Sequence, residues 1–155
     1  MKIVKILSIL LIMLSLATFG FAQGPQRTGK IIELKGSVDV KPLGKEMWIP
    51  AAKDMTLKQG DSIRTRDKST AILNLNGSGE TATVEINENS QLQLEELIKD
   101  SYSGAEQTLL DLSLGKILIK AKKLHSERSK FEVKTPTSVV GVRGTVFSVE
   151  VEVVE

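Results

Sequence analysis

The sequence predicts an all-β fold, and three observations predict it. Apolar residues recur at every second position through nearly all of residues 23–155. Clusters of Gly, Pro, Asn, Asp and Ser interrupt that alternation at spacings of about ten residues, as in proteins built of many short strands. Near the C-terminus, Phe131-Glu132-Val133-Lys134-Thr135-Pro136 ends one alternating run, and Gly141 and Gly144 bracket Arg143 before the next begins. Period-two alternation puts every second side chain on one face of a pleated strand. The expected architecture is a single domain of short strands arranged as a sandwich, a roll or a solenoid-like stack.

Residues 1–22 stand apart. Lys2 and Lys5 make a basic start, Ile6 to Leu16 is apolar apart from Ser8 and Ser15, and Gly20-Phe21-Ala22 supplies small residues for cleavage. This is the pattern of a helical secretory signal peptide. The apolar stretch from Ile6 to Ala22 is 17 residues, short of the ~20 that a spanning helix needs. Export then implies a periplasmic or extracellular location. The 133 residues from Gln23 onward carry 19 basic and 19 acidic side chains. A neutral chain has no electrostatic reason to seek nucleic acid. The absence of cysteine removes any disulfide framework, so stability must come from core burial.

The strands follow in order. Ile32, Leu34, Val38 and Val40 share one parity; Ala71, Leu73 and Leu75 share another, and Ala82, Val84 and Ile86 alternate with Thr83, Glu85 and Asn87. Gln91 to Asp100 fits two periods: Leu94, Leu97 and Ile98 have helical spacing, whereas Leu92 and Leu94 have strand spacing, and a strand is expected. Leu110, Leu112 and Leu114 precede Gly115, after which Ile117, Ile119 and Ala121 continue. Phe131, Val133 and Thr135 form the next inward face, and Thr145, Phe147, Val149, Val151 and Val153 the last. Turns are expected at 42–44, 59–61, 76–79, 87–89 and 101–104.

Charge is blocked in two places. Residues 80–111 hold eight acidic side chains against Lys99, and residues 116–130 hold six basic ones against Glu127. Lys120, Lys122, Lys123, Arg128 and Lys130 offer a patch for an anionic partner. The plainer reading pairs the two segments across neighbouring strands.

The pattern excludes most chemistry. With one histidine and no cysteine, no metal site is expected, and no calcium-type loop is present. His125 sits among polar residues and reads as a solvated hairpin tip. No serine occupies a Gly-x-Ser-x-Gly turn. Glu95 and Glu96 are adjacent, so on a strand they point to opposite faces and cannot flank one bond. No cofactor is implied and no catalytic residue is assigned. Trp48 reads as a lid over one end of the core, with an exposed partner anchor as the alternative. Arg143 is expected to turn inward and fasten two turns, with Asp61 as its partner, because a partly buried guanidinium needs an acid or carbonyls.

Taken together, these segments resemble the FecR domain, found on the periplasmic side of regulators of iron-uptake sigma factors and in other exported proteins. The resemblance rests on Gly36-Ser37-Val38, Trp48-Ile49-Pro50, the Leu57 to Thr65 run through Gly60-Asp61, Ser69 to Leu75, Leu112-Ser113-Leu114-Gly115-Lys116-Ile117, Phe131 to Pro136 and Val142-Arg143-Gly144-Thr145-Val146-Phe147. It implies a binding and signalling module without catalytic residues. Its motif positions here, structural or partner-binding, are Trp48, Gly60, Asp61, Thr135, Pro136, Arg143, Gly144 and Thr145. Only a signal peptide precedes the domain, so the resemblance is to a free-standing exported version lacking the sigma-factor arm. The expected partner is an unidentified protein or envelope component. The alternative is a structural envelope protein that self-associates through edge strands, with the glutamates of the terminal Val-Glu alternation guarding that edge.

Overall fold

The computed structural model describes residues 27–75, 82–122, 127–142, 144 and 146–152. The expected signal peptide, the 76–79 turn, His125, Lys123, Arg143 and Thr145 lie outside the described residues. Every described element is a strand: β1 (Gly29–Lys35), β2 (Val38–Lys41), β3 (Ile49–Pro50), β4 (Thr56–Leu57), β5 (Ser62–Thr65), β6 (Thr70–Leu75), β7 (Ala82–Ile86), β8 (Gln91–Lys99), β9 (Glu106–Ala121), β10 (Lys130–Lys134), β11 (Val139–Val142) and β12 (Val146–Val151). The all-β expectation holds, and the segment with two competing periods is the strand β8.

The strands form one curled sheet that folds back on itself through β9. The first part of β9 pairs antiparallel with β8 and parallel with β10. Its last part pairs antiparallel with β7 and β12. One layer therefore runs β3-β2-β5-β8-β9-β10-β11, and the other runs β4-β1-β6-β7-β9-β12.

Gly115 makes the fold-back possible. Its φ of +86° lies in the left-handed region that other residues avoid. A Cβ at this position would press on Ser90 and come within 2.7 Å of the Asn89 carbonyl oxygen. The Ser90 hydroxyl in turn accepts the Lys116 N–H at 2.9 Å. Chain length gives an independent argument for the curl. A straight strand from Gln107 to Ala121 would run ~46 Å, whereas residues 122–129 reach only about 30 Å. Lys130 nonetheless pairs with Gln107, so the two ends of β9 must approach each other.

A single apolar core lies between the layers. It joins Ile31, Val38, Val40, Leu57 and Ile63 to Leu73, Val84, Leu94, Leu112, Ile119, Phe131 and Val133. Three expected parities are corrected. In β1 the pairing with β6 shifts between Ile31 and Glu33, so Ile31 is buried and Ile32 exposed. In β8 a shift between Leu94 and Glu96 puts Leu94 and Leu97 on one inward face, which is why that segment carries helical spacing. In β9 a shift opposite Gln91 and Leu92, next to Gly115, leaves Leu114 exposed at the rim. In each case the extra residue of a bulge inverts the alternation.

A charged residue also sits inside. Arg27 is 4% exposed. Its Nη1 donates to the Thr108 hydroxyl at 2.7 Å and to the Gln107 carbonyl at 3.3 Å, and Nη2 lies 3.8 Å from Glu106. Burial pulls the Arg27 pKa below its ordinary value and Glu106 opposes that shift. The guanidinium stays charged and ties the chain entering β1 to the start of β9.

Candidate functional site

The Gly60–Asp61 turn is fastened by several hydrogen bonds. Gly60 takes φ +88°, a conformation suited to glycine, and a Cβ there would meet the Leu43 side chain. The Gly60 N–H donates to the Leu94 carbonyl at 2.6 Å, and the Leu94 N–H donates to the Asp61 carbonyl at 3.0 Å. Gln93 Nε2 donates to the Gly60 carbonyl at 3.0 Å, and the Leu97 N–H to Gln59 Oε1 at 3.2 Å. The turn is thus held on the bulged stretch of β8. Both carboxylate oxygens of Asp61 accept backbone amides, Oδ1 from Leu43 at 2.9 Å and Oδ2 from Lys58 at 2.8 Å. Asp61 joins two turns, with partners that sequence reasoning did not name, while Arg143 lies outside the described residues.

Beside this turn runs an open groove of about 920 Å³. Leu43, Ile49 and Met55 supply its apolar surface, and Lys58, Asp61 and Glu95 supply its polar rim. Leu43 is 68% exposed, Ile49 41%, and the neighbouring Met47 75%. Among the described residues no group of three or more His, Cys, Asp or Glu side chains is placed to hold a metal ion.

Trp48 does not cover the core. The half-buried ring stacks on the outer face of the first layer, with the Arg64 guanidinium carbon 4.2 Å and Lys41 Nζ 5.3 Å from its centroid. The register explains the placement. Asp39 of β2 lies opposite Arg64 of β5, and β3 lies on the other side of β2. Asp39 Oδ2 accepts Arg64 Nε at 3.0 Å and Arg66 Nη2 at 3.0 Å. Partial burial alone would raise the Asp39 pKa; the hydrogen bonds from Arg64 and Arg66 outweigh it and hold the carboxylate below its ordinary range. Sequence reasoning missed Asp39, Arg64 and Arg66. They are separated in the chain and meet only through strand register.

Thr135 and Pro136 form the β10–β11 hairpin. The Thr135 N–H donates to the Ser138 carbonyl at 2.8 Å, and the Ser138 N–H donates to the Thr135 hydroxyl at 3.1 Å. Pro136 presets the backbone at a turn corner. Gly144 takes φ +83° between β11 and β12. Of the basic patch, Lys120, Lys122, Arg128 and Lys130 are exposed around the 122–129 connection, and Lys123 lies outside the described residues.

Between the acidic and basic segments the structure gives the Arg128 charge acting on Asp100, and other partners come from outside the two blocks. Glu95 and Asp111 are both met at 3.1 Å by Lys134, which lies beyond the basic block, and Lys116 pairs with Glu150 of β12 at 2.8 Å. Asp111 and Glu95 hold the Lys134 pKa above its ordinary value.

No curated protein and no solved structure matches the chain. The family model described as FecR protein matches residues 61–154, more than half of the 155 residues. The match begins at Asp61, yet β1 and β2 share its core through pairing with β6 and β5. That family is a regulatory and signalling one, associated with signal sensing in the cell envelope, typically periplasmic or envelope-associated, and not a known enzyme family. A β domain fastened around a Gly-Asp turn and closed by a Thr-Pro hairpin, with that match over its larger part, belongs to the FecR family.

Proposed function

We propose that this chain is an exported, non-catalytic binding module of the cell envelope that contributes to signal sensing, and that it meets its protein partner at the groove beside the Gly60–Asp61 turn. The observation that carries the reading is the exposure of Leu43 and Ile49 along a groove beside a hydrogen-bonded turn. Exposed apolar residues grouped inside a polar rim are the usual make-up of a protein contact surface. The groove is open to solvent along its length, as a protein contact surface requires.

The test is capture from the envelope fraction with tagged protein. A specific partner is expected to bind the wild type and to be lost with Leu43→Asp or Ile49→Asp. Both side chains are exposed, so the fold should survive either change. Retention of the same partner by both variants would overturn the choice of surface. A β6–β9 substitution that leaves the groove intact serves as the control.

A further inference from the structure

The curled sheet has four free edges among the described residues: β3 and β11 in one layer, β4 and β12 in the other. Three are guarded in the ways that keep sheets from joining edge to edge. β3 has two residues and one is Pro50, and β4 also has only two. β12 carries Glu150, held by Lys116. β11 is different. Val139-Val140-Gly141-Val142 has no charge and no proline, and Val139 and Val140 are 59% and 38% exposed.

The hairpin geometry shows which backbone groups are on offer. Thr135 and Ser138 form the hydrogen-bonded pair that closes the turn. Hydrogen-bonded and non-hydrogen-bonded pairs alternate along an antiparallel ladder. Val140 and Val142 therefore bond across to β10, and the N–H and C=O groups of Val139 and Gly141 point to the free side. A second β11 laid antiparallel about a two-fold axis at Val140 places Val139 opposite Gly141 of the copy, and Gly141 opposite Val139. All four outward residues then exchange both hydrogen bonds, four bonds in total.

The side chains agree with that register. Val140 meets its own copy in a non-hydrogen-bonded pair, where side chains come closest. Gly141 has nothing within 4 Å of where a Cβ would sit, leaving room for the neighbouring valine. On β10, Glu132 lies opposite Gly141 and Lys134 opposite Val139. The two-fold thus lines up Glu132, Gly141, the copy's Val139 and the copy's Lys134 in one row. Lys134 is already held by Glu95 and Asp111, and only Val139, Val140 and Gly141 stand at the seam itself.

We propose that two copies of this chain associate through β11, antiparallel about Val140, so that one layer continues across the pair. This surface is separate from the groove beside Gly60 and does not depend on it. The chain has no cysteine, so a single introduced one reports the register directly. Residues in a non-hydrogen-bonded pair sit about 4.5 Å apart at Cα, within the ~4.4–6.8 Å that a disulfide spans. Val140→Cys is expected to form a disulfide-linked dimer under mild oxidant far faster than Tyr102→Cys, a control that is more exposed and lies in the turn between β8 and β9. Equal rates for the two would overturn the proposal.

Sedimentation across a concentration series gives the second arm. The wild type is expected to approach twice the monomer mass and Val140→Lys to stay single with an unchanged circular dichroism spectrum. A wild type that stays single, or a mass that climbs past two copies, would each overturn it. Val140→Lys is also expected to keep any partner captured at the Gly60 groove, so loss of one association leaves the other readable.

Discussion

At the scale of residues, the functional surface owes its shape to polar side chains used as ties. Asp61 spends both oxygens on the backbone amides of Leu43 and Lys58, which fixes the lip of the groove. Asp39 gathers Arg64 and Arg66, and Arg64 carries Trp48 on its face. Because the Asp39 pKa is held down in the folded protein, its contribution to stability is complete above the unfolded value of ~3.9 and is lost as pH falls through the lowered value. Trp48 is the single tryptophan of the chain, so its emission should report that release as an acid step below about pH 4. The step should vanish in Asp39→Asn; an unchanged step there would assign it to other carboxylates. The motif glycines and Asp61 were legible in the sequence as turn chemistry. The Asp39 cluster and buried Arg27 were not, because neither charge nor spacing marks a side chain whose partners are supplied by register.

At the scale of elements, alternation was readable wherever a strand keeps regular pairing on both sides, as in β7 and β10. It failed at the bulges near Ile31, Leu94 and Leu114, where one extra residue turns the following side chains to the other face. Nothing in the identity of the extra residue announces it, and only Gly115 left a trace in the sequence. That glycine gives the sharpest test of the fold-back. Gly115→Ala should cost about 2–5 kcal/mol, combining ~1–2 for a Cβ in left-handed backbone with ~1–3 for pressing on Ser90 and Asn89. Gly141→Ala, with open space around it, should stay within about 0.5 kcal/mol of the wild type. Urea midpoints at unchanged slope would separate the two. Equal effects would mean that the bend does not depend on Gly115.

At the scale of the whole molecule, the family match and the folding unit do not coincide. The match starts at Asp61, but Ile31, Val38, Val40 and Leu57 are core residues contributed from before it. A chain beginning at Asp61 is therefore expected to give the circular dichroism and amide spectra of an unfolded protein, whereas one beginning at Gln23 folds. A folded shorter chain would show the first four strands to be dispensable. The sequence announced one β domain because nearly every segment alternates. The fold-back was not announced, since the same short strands would serve a roll or a stack equally well. The long β9 has a consequence of its own. A single stretch of backbone is hydrogen-bonded into both layers, so neither layer can melt by itself: loosening one removes the partner strand of the other. The molecule should hold together or come apart as one cooperative body, and damage at either rim is felt at both.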